Sequence, residues 1–405
     1  MTTRTTLIIL FLVTLVSPAI AQSREWCYII TDRLQPIPMY FGSVDSTTGI
    51  SATDRDGREQ TIPHGSYFSL SFDHTRWART SGREPEFAGT VFVELTDGQR
   101  IRAAVKASDD PETLVIERID GIRASIPIDR IHSIARSIPA SDREKDGRED
   151  DTLELTNGDT LTGFILEIGP AFTIETATGI LKIPIERIAR ATIQNPPVHT
   201  PGSYIHTTQG EKLRADTFAS DKEHTLTLIP SDPMYAMQPT PEIRLAYGLL
   251  AVEHKRADAY ITNPTRTDPI AVAPTGDRSW TRSPIAEPGT WMGDERTTIE
   301  VPAPASIRWA VPENATRFSA AINADWRAWT DNESSLLAIT ADGQSHTLWS
   351  MRMKAETPMI DVLVDLPANT TAIELRVEPG EYGPIQDRVW LRSSLLLVEG
   401  SPKFQ

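Results

Sequence analysis

The sequence contains a single cysteine, Cys27, and no apolar run long enough to cross a membrane. One cysteine excludes an internal disulfide framework. The most apolar run near the N-terminus, Leu7–Val16, is far shorter than the roughly 20 residues of a membrane-spanning helix. Arg4 precedes this run and an Ala-Ile-Ala motif ending at Ala21 follows it, which is the pattern of a cleaved signal peptide. We therefore expect a signal peptide at residues 1–21 and a secreted or periplasmic mature chain without membrane insertion.

The chain also lacks an excess of positive charge and a helical apolar period. Its 40 basic residues are outnumbered by 55 acidic ones, which gives a net charge of −15. This balance argues against nucleic acid and anionic membranes as partners, because both are bound by basic surfaces. No fifteen-residue stretch shows a convincing 3.6-residue period, whereas 30 prolines separate short alternating segments. These features predict an all-β protein.

The motifs of common catalytic sites are missing as well. The sequence has no G-x-S-x-G nucleophile elbow, no H-E-x-x-H zinc helix and no glycine-rich phosphate loop. Its eight histidines are scattered and do not have the spacing of metal ligands. The paired carboxylates of a glycosidase have no fixed sequence spacing, but the domains assigned below leave no segment of the usual glycosidase size. We expect no enzymatic activity and no catalytic residues.

One motif occurs twice. The string "VELTDGQRIRAAV" begins at Val93 and "LELTNGDTLTGFI" begins at Leu153, and "IPIDRI" and "IPIERI" follow them at matching places. Apolar residues alternate with polar ones on both sides of the Asp-Gly or Asn-Gly pair, which predicts a β-hairpin with a tight turn. Each copy of about 45 residues holds four or five short strands, which is the content of a small barrel.

The two copies resemble the Sm-like or SH3-like small barrels of secreted bacterial proteins, in which "L-T-N-G-D-x-L-x-G" and "I-P-x-x-x-I" recur. The resemblance implies a scaffold or a partner surface, because these motifs form turns and cores and carry no catalytic group. Members that bind RNA use basic and aromatic loops, and this acidic chain has no basic patch. Weaker copies are predicted on either side. The predicted order is a degenerate repeat at 22–84, a repeat at 85–137, a charged linker at 138–150, a repeat at 151–196, a weaker repeat at 200–261 and a Pro/Thr-rich linker at 262–279.

Tryptophan is concentrated in the C-terminal part of the chain. Seven of the nine tryptophans lie beyond residue 275, so the composition changes at that point. Segments such as "SLLAITADGQSHTLWSM" and "AIELRVEPG" alternate apolar and polar residues and are separated by Pro, Gly and Asn. Strands at this spacing predict a β-sandwich.

The order of these segments resembles the NPCBM module, a carbohydrate-binding module first noticed beside family 98 glycosidases. The shared features are "ADG" at 341–343, "VDLPANTTAIELRV" at 364–377, and a closing strand with Asp387 and Trp390. The string "DRVW" departs from the family's Asp-His-x-x-Trp-like string. The resemblance implies a jelly-roll sandwich at 280–400 that binds carbohydrate. The fold predicted for the whole chain is all-β, with tandem small β-barrels followed by a C-terminal jelly-roll β-sandwich.

Two loops carry the chemical groups that a sugar site needs. A pyranose ring stacks its apolar face on an exposed aromatic side chain, and its hydroxyls need charged or amide partners. The segments "NADWRAWTDNES" (323–334) and "EYGPIQDR" (381–388) offer both, and binding residues are frequent on loops. The candidate carbohydrate-binding residues are Asp325, Trp326, Arg327, Trp329, Asp331, Tyr382, Gln386 and Arg388.

Other interpretations of the first loop stay open. Both of its tryptophans could pack in the sandwich core instead of facing a ligand. Asp325, Asp331 and Glu333 could together hold a calcium ion, as some members of the resembled family do, although their spacing is not that of an EF-hand loop. Calcium is therefore the one cofactor for which the sequence offers a candidate, and no other metal or cofactor is expected.

Three functions are compatible with these features. The preferred one is an exported, non-catalytic protein that binds a glycan or polysaccharide through its C-terminal sandwich, with the barrels as scaffold. The first alternative is an interaction scaffold for envelope proteins in which the sandwich has lost sugar binding. The second is a glycoside hydrolase accessory protein, or a hydrolase with an unrecognised site. Exposure of the two loop tryptophans beside polar groups would favour the first function.

Overall fold

The regular structure consists of strands. The computed structural model describes residues 25–72, 89–118, 120–137, 150–222, 225–231, 243–245, 248–273, 280–284, 297–384 and 386–401. The predicted signal peptide and most of the charged linker at 138–150 lie outside these residues. The described parts contain 31 strands, three short 3₁₀ segments and no α-helix. Accordingly, none of them contains a helix that is long and apolar enough to span a membrane. The predicted all-β class is confirmed.

Four consecutive segments each form a five-stranded antiparallel sheet, and we call them the first to fourth barrels. The first contains β1 (Trp26–Thr31), β2 (Pro36–Asp45), β3 (Gly49–Thr53), β4 (Glu59–Ile62) and β5 (Tyr67–Phe72). The second contains β6 (Thr90–Leu95), β7 (Arg100–Lys106), β8 (Thr113–Arg118), β9 (Arg123–Pro127) and β10 (Ile131–Ala135). The third contains β11 (Asp151–Leu155), β12 (Thr160–Glu167), β13 (Ala171–Thr176), β14 (Gly179–Pro184) and β15 (Ile188–Thr192). The fourth contains β16 (Gly202–Thr207), β17 (Lys212–Ser220), β18 (Leu226–Pro230), β19 (Ile243–Leu245) and β20 (Leu249–Lys255).

All four barrels share one strand order. The first four strands pair with one another in sequence, and the fifth returns to pair with the first. In the second and third barrels a 3₁₀ segment, Ile128–Arg130 or Ile185–Arg187, turns the chain into the last strand. The repeated "IPIDRI" and "IPIERI" strings thus fold alike, and the predicted tandem barrels are confirmed.

The repeated glycines occupy equivalent tight turns. Gly98 and Gly158 have φ angles of +83° and +90°, a conformation that glycine adopts without steric cost. The Gly98 amide donates to the Leu95 carbonyl at 2.8 Å, and the Gly158 amide donates to the Leu155 carbonyl at 2.9 Å. The Asp-Gly and Asn-Gly pairs therefore set the same hairpin in both barrels.

Alternation places the later isoleucines of the repeat in the cores. Ile126 and Ile183 are buried in the second and third barrels, whereas Asp129 and Glu186 are exposed. Cys27 is buried in the first barrel, and burial raises the pKa of its thiol to about 12. The barrel cores are apolar and contain no disulfide among the described residues.

The barrels associate in an order that differs from their order in the sequence. β5 pairs with β20, which joins the first barrel to the fourth. β10 pairs with β15, which joins the second to the third. A bridge between Lys212 on β17 and Arg100 on β7 joins the fourth to the second. The spatial order is therefore first, fourth, second, third.

The C-terminal part is a sandwich of two antiparallel sheets. One sheet contains β21 (Ala259–Thr262), β23 (Thr281–Pro284), β24 (Thr297–Pro302), β26 (Ala315–Ala324), β29 (Ile360–Asp365) and β31 (Arg388–Glu399). The other contains β22 (Ala271–Ala273), β25 (Ala305–Ala310), β27 (Asp331–Thr340), β28 (Ser345–Lys354) and β30 (Thr370–Pro379). Trp309, Phe318 and Leu375 are buried between the sheets. The predicted sandwich is confirmed.

The boundary predicted between the barrels and the sandwich is wrong. β21 and β22 fall in the segments assigned to the fourth repeat and to the linker at 262–279, yet they pair with β31 and β25 of the sandwich. The 3₁₀ segment Pro264–Arg266 connects them. Their apolar residues Tyr260 and Val272 pack against the sandwich core, which a solvated linker would not do.

The sandwich also contacts the first barrel. Ile30 and Leu34, at the end of β1 and in the following turn, form a small buried cluster with Leu395 of β31. Beside this cluster the Arg317 guanidinium donates to the Asp32 carbonyl at 2.8 Å. The sandwich therefore lies beside the first barrel, and the third barrel is the furthest from it in the chain of contacts.

Candidate functional site

The two loops singled out in the sequence meet at one end of the sandwich. The 325–330 loop connects β26 to β27, and the 380–387 loop connects β30 to β31, so both cross from one sheet to the other. The Thr330 hydroxyl donates to the Gln386 carbonyl at 3.1 Å. We call this region the loop end. Residues about fifty positions apart in the sequence are thus brought together, as a single site requires.

A buried carboxylate joins the two loops. Asp387 is buried, and its Oδ1 accepts the Asp331 backbone amide at 2.8 Å. Its Oδ2 accepts the Gly380 amide at 3.2 Å. Because one side chain binds backbone groups of both loops, it fixes their relative position. In the sequence, Asp387 was noted only as part of a strand motif. Its role in the structure is to hold the two loops together, from a buried position.

Asp331 forms a bidentate ion pair with Arg352 at the loop end. Its two carboxylate oxygens accept the Nε and a terminal NH2 group of Arg352, the former at 2.6 Å. This bidentate pair holds the pKa of the Asp331 carboxyl at about 2, and the Glu381 amide, which donates to Oδ2 at 3.1 Å, contributes. The Arg352 side chain stays 57% exposed. Sequence reasoning missed Arg352, because β28 neighbours β27 only in the folded sheet.

Three large aromatic side chains are exposed at the loop end. Trp326 is 83% exposed, and Trp329 and Tyr382 are 55% exposed each. The core of the same sandwich buries Trp309 almost completely, so the fold has room for tryptophan inside. The alternative in which both loop tryptophans pack in the core is therefore wrong.

The remaining candidate residues divide between shaping the loops and facing solvent. Asp325 is buried and accepts the Arg327 amide at 3.2 Å, which fixes the turn. The Arg327 side chain is half exposed. Arg388 forms an ion pair at 2.6 Å with Glu300 of β24, while the Gln386 carbonyl accepts Thr330. Asp325 and Asp331 thus hold the loop, and Arg327 remains accessible beside the tryptophans.

The calcium hypothesis finds little support in this arrangement. Asp331 is already neutralised by Arg352, and Glu333, two residues further along β27, is exposed. Among the described residues there is no group of three or more His, Cys, Asp or Glu side chains that could hold a metal ion. Calcium ligation also needs six to eight oxygen atoms, which these residues do not gather.

A cleft of about 620 Å³ lies at the opposite end of the sandwich. The connection between β25 and β26, the end of β31 and the segment after β21 form its walls. Tyr260 and Ile270 contribute apolar surface, and Glu313 and Glu399 contribute acidic groups. This cleft could not be predicted from the sequence, because its walls come from three distant segments.

The comparisons with known proteins give distant structural similarities only. No protein-family model matches the chain, and no curated protein matches it. A solved structure of CBM51-2 and INT domains from Clostridium perfringens ZmpB, in complex with GlcNAc, is 12% identical and has a TM-score of 0.27. That match covers 45% of this chain and 44% of the other, so less than half of the other protein is spanned.

Two further solved structures are similarly distant. CBM51 from Clostridium perfringens GH95, in complex with methyl-galactose, is 14% identical with a TM-score of 0.27, over 34% of this chain and 99% of that one. A family 6 carbohydrate-binding module is 8% identical with a TM-score of 0.22, over 35% and 94% of the two chains. At these values the similarity assigns the chain to no family, and membership of the NPCBM family remains a prediction.

Proposed function

We propose that the sandwich binds carbohydrate at its loop end and that the protein acts as a non-catalytic glycan-binding protein. The observation that supports this most is the exposure of Trp326, Trp329 and Tyr382 on two loops that buried aspartates tie together. Exposed apolar side chains that are grouped, with polar residues around them, often mark a binding site on a protein surface. Their grouping at one end of a rigid sandwich favours a ligand with apolar faces.

The polar groups beside the aromatics favour a sugar over a purely apolar ligand. Arg327, Arg352 and Glu381 keep at least half of their side chains exposed. Guanidinium groups donate hydrogen bonds in a fixed plane and carboxylates accept them, which suits neighbouring hydroxyls. Sugar rings combine an apolar C–H face with such hydroxyls, so one ligand would use both kinds of group.

Rigidity of the site supports recognition without rearrangement. Asp387 and Asp331 hold the two loops through backbone hydrogen bonds. A site that is already ordered loses less conformational entropy when the ligand binds. Individual stacking and hydrogen-bond contacts contribute about 0.5–3 kcal/mol each. We therefore expect a dissociation constant nearer millimolar than nanomolar, which corresponds to roughly 4–6 kcal/mol of binding free energy.

The carboxylates at the loop end favour binding over bond cleavage. Glycoside hydrolysis needs one carboxyl group with a raised pKa as general acid and a second as base or nucleophile. Here Arg352 lowers the pKa of Asp331, and Asp325 is buried in its own turn. A carboxyl group with a lowered pKa, such as that of Asp331, is not suited to act as the general acid. The barrels, in this proposal, serve as a scaffold that carries the binding sandwich, in the secreted or periplasmic location that the predicted signal peptide implies.

The experiment that tests the proposal starts with a glycan array probed by the mature chain, residues 22–405. A soluble sugar selected on the array is then titrated by calorimetry into wild type and into Trp326→Ala, Trp329→Ala and Tyr382→Ala. At least one substitution is expected to weaken binding about tenfold or more, because a stacked ring loses its partner. The melting temperature is expected to stay nearly unchanged, since all three side chains are exposed.

The matched control is Phe164→Ala, which removes an aromatic side chain that is 65% exposed in the third barrel. This variant is expected to bind the sugar like wild type. A further variant, Tyr260→Ala, probes the cleft at the opposite end of the sandwich. Loss of binding in Tyr260→Ala with full binding in the three loop variants would overturn the proposal. So would an array on which no glycan is bound.

A further inference from the structure

An apolar face lies on the outside of the third barrel. Phe164 on β12 and Ile180 on β14 flank Glu175 of β13 in the same row of the sheet. These two apolar side chains are 65% and 64% exposed, and Leu166, at an irregularity of β12, is 38% exposed. We call Phe164, Leu166 and Ile180 the apolar face. It is separate from the loop end of the sandwich, since the third barrel is the last in the row of contacts.

The second barrel shows which side chains occupy the equivalent positions of the same fold when they only face solvent. Strand pairing makes Ala104 and Arg123 of the second barrel equivalent to Phe164 and Ile180, with Glu117 equivalent to Glu175. The Arg123 Nε atom donates to Glu117 at 2.8 Å, and Lys106 lies 3.4 Å from the same carboxylate. The same fold therefore accepts a paired, charged face here, so folding does not require the apolar side chains of the third barrel.

The edge of the third barrel is also open. Among the described residues, β14 pairs with β13 on one side only. Ile180 and its neighbour Leu181, which is 40% exposed, place apolar atoms on both faces of this edge. An exposed edge strand with apolar side chains is a site at which another chain can add. Solubility alone would favour charged residues at such an edge.

We propose that the apolar face and the β14 edge bind a second copy of this chain, which gives a two-fold symmetric dimer through the third barrels. Barrel-to-barrel association is already the way in which this chain is built: β5 pairs with β20 and β10 pairs with β15. In the part of the chain that the structure describes, the third barrel ends that row, and the outer edge of β14 has no paired strand. A third barrel from a second copy extends the row, through the fourth strand β14 and not through the fifth strands that pair inside the chain.

The charges around the face suit a copy of itself. Glu175 and Lys182 occupy alternate rows of the same sheet face and carry opposite charges. Neither forms an ion pair within the described parts of the chain, in contrast to Glu117 of the second barrel. A two-fold contact is self-complementary, so Lys182 of each copy can meet Glu175 of the other. Most of the surface of this acidic chain repels its copy, which restricts association to this patch.

The oligomeric state of the mature chain tests the proposal. Sedimentation equilibrium between about 1 and 200 µM is expected to show a monomer–dimer equilibrium with a dissociation constant on the order of 10 µM, within the range of a modest interface. Ile180→Arg is expected to weaken the dimer at least about tenfold. This variant recreates beside Glu175 the Arg–Glu arrangement of the second barrel, so it is expected to fold.

Three further variants complete the test. Ile270→Arg makes the same substitution at a 59% exposed isoleucine of the sandwich and is expected to leave the dimer unchanged. Lys182→Glu is expected to weaken the dimer, and adding Glu175→Lys to it is expected to restore association. Circular dichroism melting checks that each variant is folded. A wild-type chain that stays monomeric across the whole range overturns the proposal, and so does a dimer that Ile180→Arg and Lys182→Glu leave unchanged.

Discussion

The protonated form of histidine is disfavoured at the contact between the first and fourth barrels. The rings of His254, on β20, and His64, just before β5, lie 4.7 Å apart between centroids. The His254 Nδ1 atom is 3.2 Å from the Ser203 hydroxyl. Burial lowers the pKa of His254 to about 4, and the neighbouring His64 and Arg256 contribute in the same direction. The folded protein therefore favours the neutral ring.

This shift predicts a loss of stability in mild acid. In the unfolded chain histidine has a pKa of about 6.5, so between pH 6.5 and 4 the unfolded state binds the proton and the folded state does not. The free energy of unfolding is expected to have its full value above pH 6.5 and to decrease as the pH is lowered toward 4. The slope for one such histidine is at most about 1.4 kcal/mol per pH unit, and less here because His254 is partly open to solvent.

Urea denaturation of wild type and of His254→Asn across this pH range measures the effect. The variant is expected to show a shallower dependence on pH. Part of the dependence remains, because burial also lowers the pKa of His206 to about 4. Equal slopes in the two proteins would show that His254 takes up its proton without a penalty in the folded state.

At the scale of single residues, the sequence identified the exposed groups of the site better than the buried ones. Trp326 and Trp329 stand out because a loop rarely carries two tryptophans without a purpose, and both are exposed. Asp387 and Arg352 gave no comparable signal. A carboxylate that holds backbone amides looks like any surface aspartate in the sequence. Its partners, the Asp331 and Gly380 amides, are defined only by the folded loops.

At the scale of elements, one glycine allows the two loops to approach each other. A Cβ atom at Gly380 would lie 1.5 Å from the Asp331 carbonyl oxygen. The Gly380 amide also donates to Asp387. The end of β30 and the start of β27 are so close here that no side chain fits between them. Glycine is therefore required for lack of space and not for its φ angle.

Gly380→Ala is therefore expected to separate the loops. The clash is with backbone atoms, which cannot rotate away, so we expect a loss of about 1–3 kcal/mol in the free energy of unfolding, measured by denaturant midpoint. Gly383→Ala is the control, since its φ of +71° is unfavourable but no atom lies within 4 Å of the added carbon. That control is expected to cost about 1–2 kcal/mol, which is the cost of a left-handed backbone conformation for a residue with a Cβ atom. An alanine that is harmless at 380 but costly at 383 would contradict the explanation.

Elements marked by turn chemistry were predictable, and elements defined by partners were not. The Asp-Gly and Asn-Gly pairs signalled the hairpins of the second and third barrels, because only glycine tolerates the positive φ of that turn at no cost. β21 and β22 are four and three residues long and were assigned to other segments. Strands this short carry almost no periodic signal. Their place follows from pairing with β31 and β25 across long stretches of chain.

At the scale of the whole molecule, a buried ion pair joins the second and fourth barrels. The Arg118 NH1 group lies 2.7 Å from Glu211 Oε1, and both side chains are almost fully buried. Glu211 also accepts the Arg102 amide at 3.3 Å. Burial raises the pKa of Glu211, while the Arg118 guanidinium opposes that rise. The contact between these barrels thus includes a buried ionic interaction.

Removing one partner is expected to be costly. Glu211→Ala leaves the buried Arg118 guanidinium with one charged partner fewer, and breaking a buried pair typically costs about 3–5 kcal/mol. The control is Glu117→Ala, which breaks the surface ion pairs with Arg123 and Lys106. Such a pair contributes about 1 kcal/mol or less. Thermal and urea denaturation of the two variants should differ clearly, and similar losses would show that the buried pair does not hold the barrels together.

The pairing of the barrels sets the order in which the chain can complete itself during synthesis. The inner pair, β10 with β15, joins residues about 60 positions apart, and the outer pair, β5 with β20, joins residues about 180 positions apart. In the sequence, both strands of the inner pair lie between the two strands of the outer pair. The second and third barrels can therefore close on each other as soon as they emerge, while the first barrel waits with the edge of β5 uncovered. The uncovered edge of β5 can therefore pair with other chains during synthesis. This risk of aggregation begins when the first barrel is made and ends only when the fourth barrel is made.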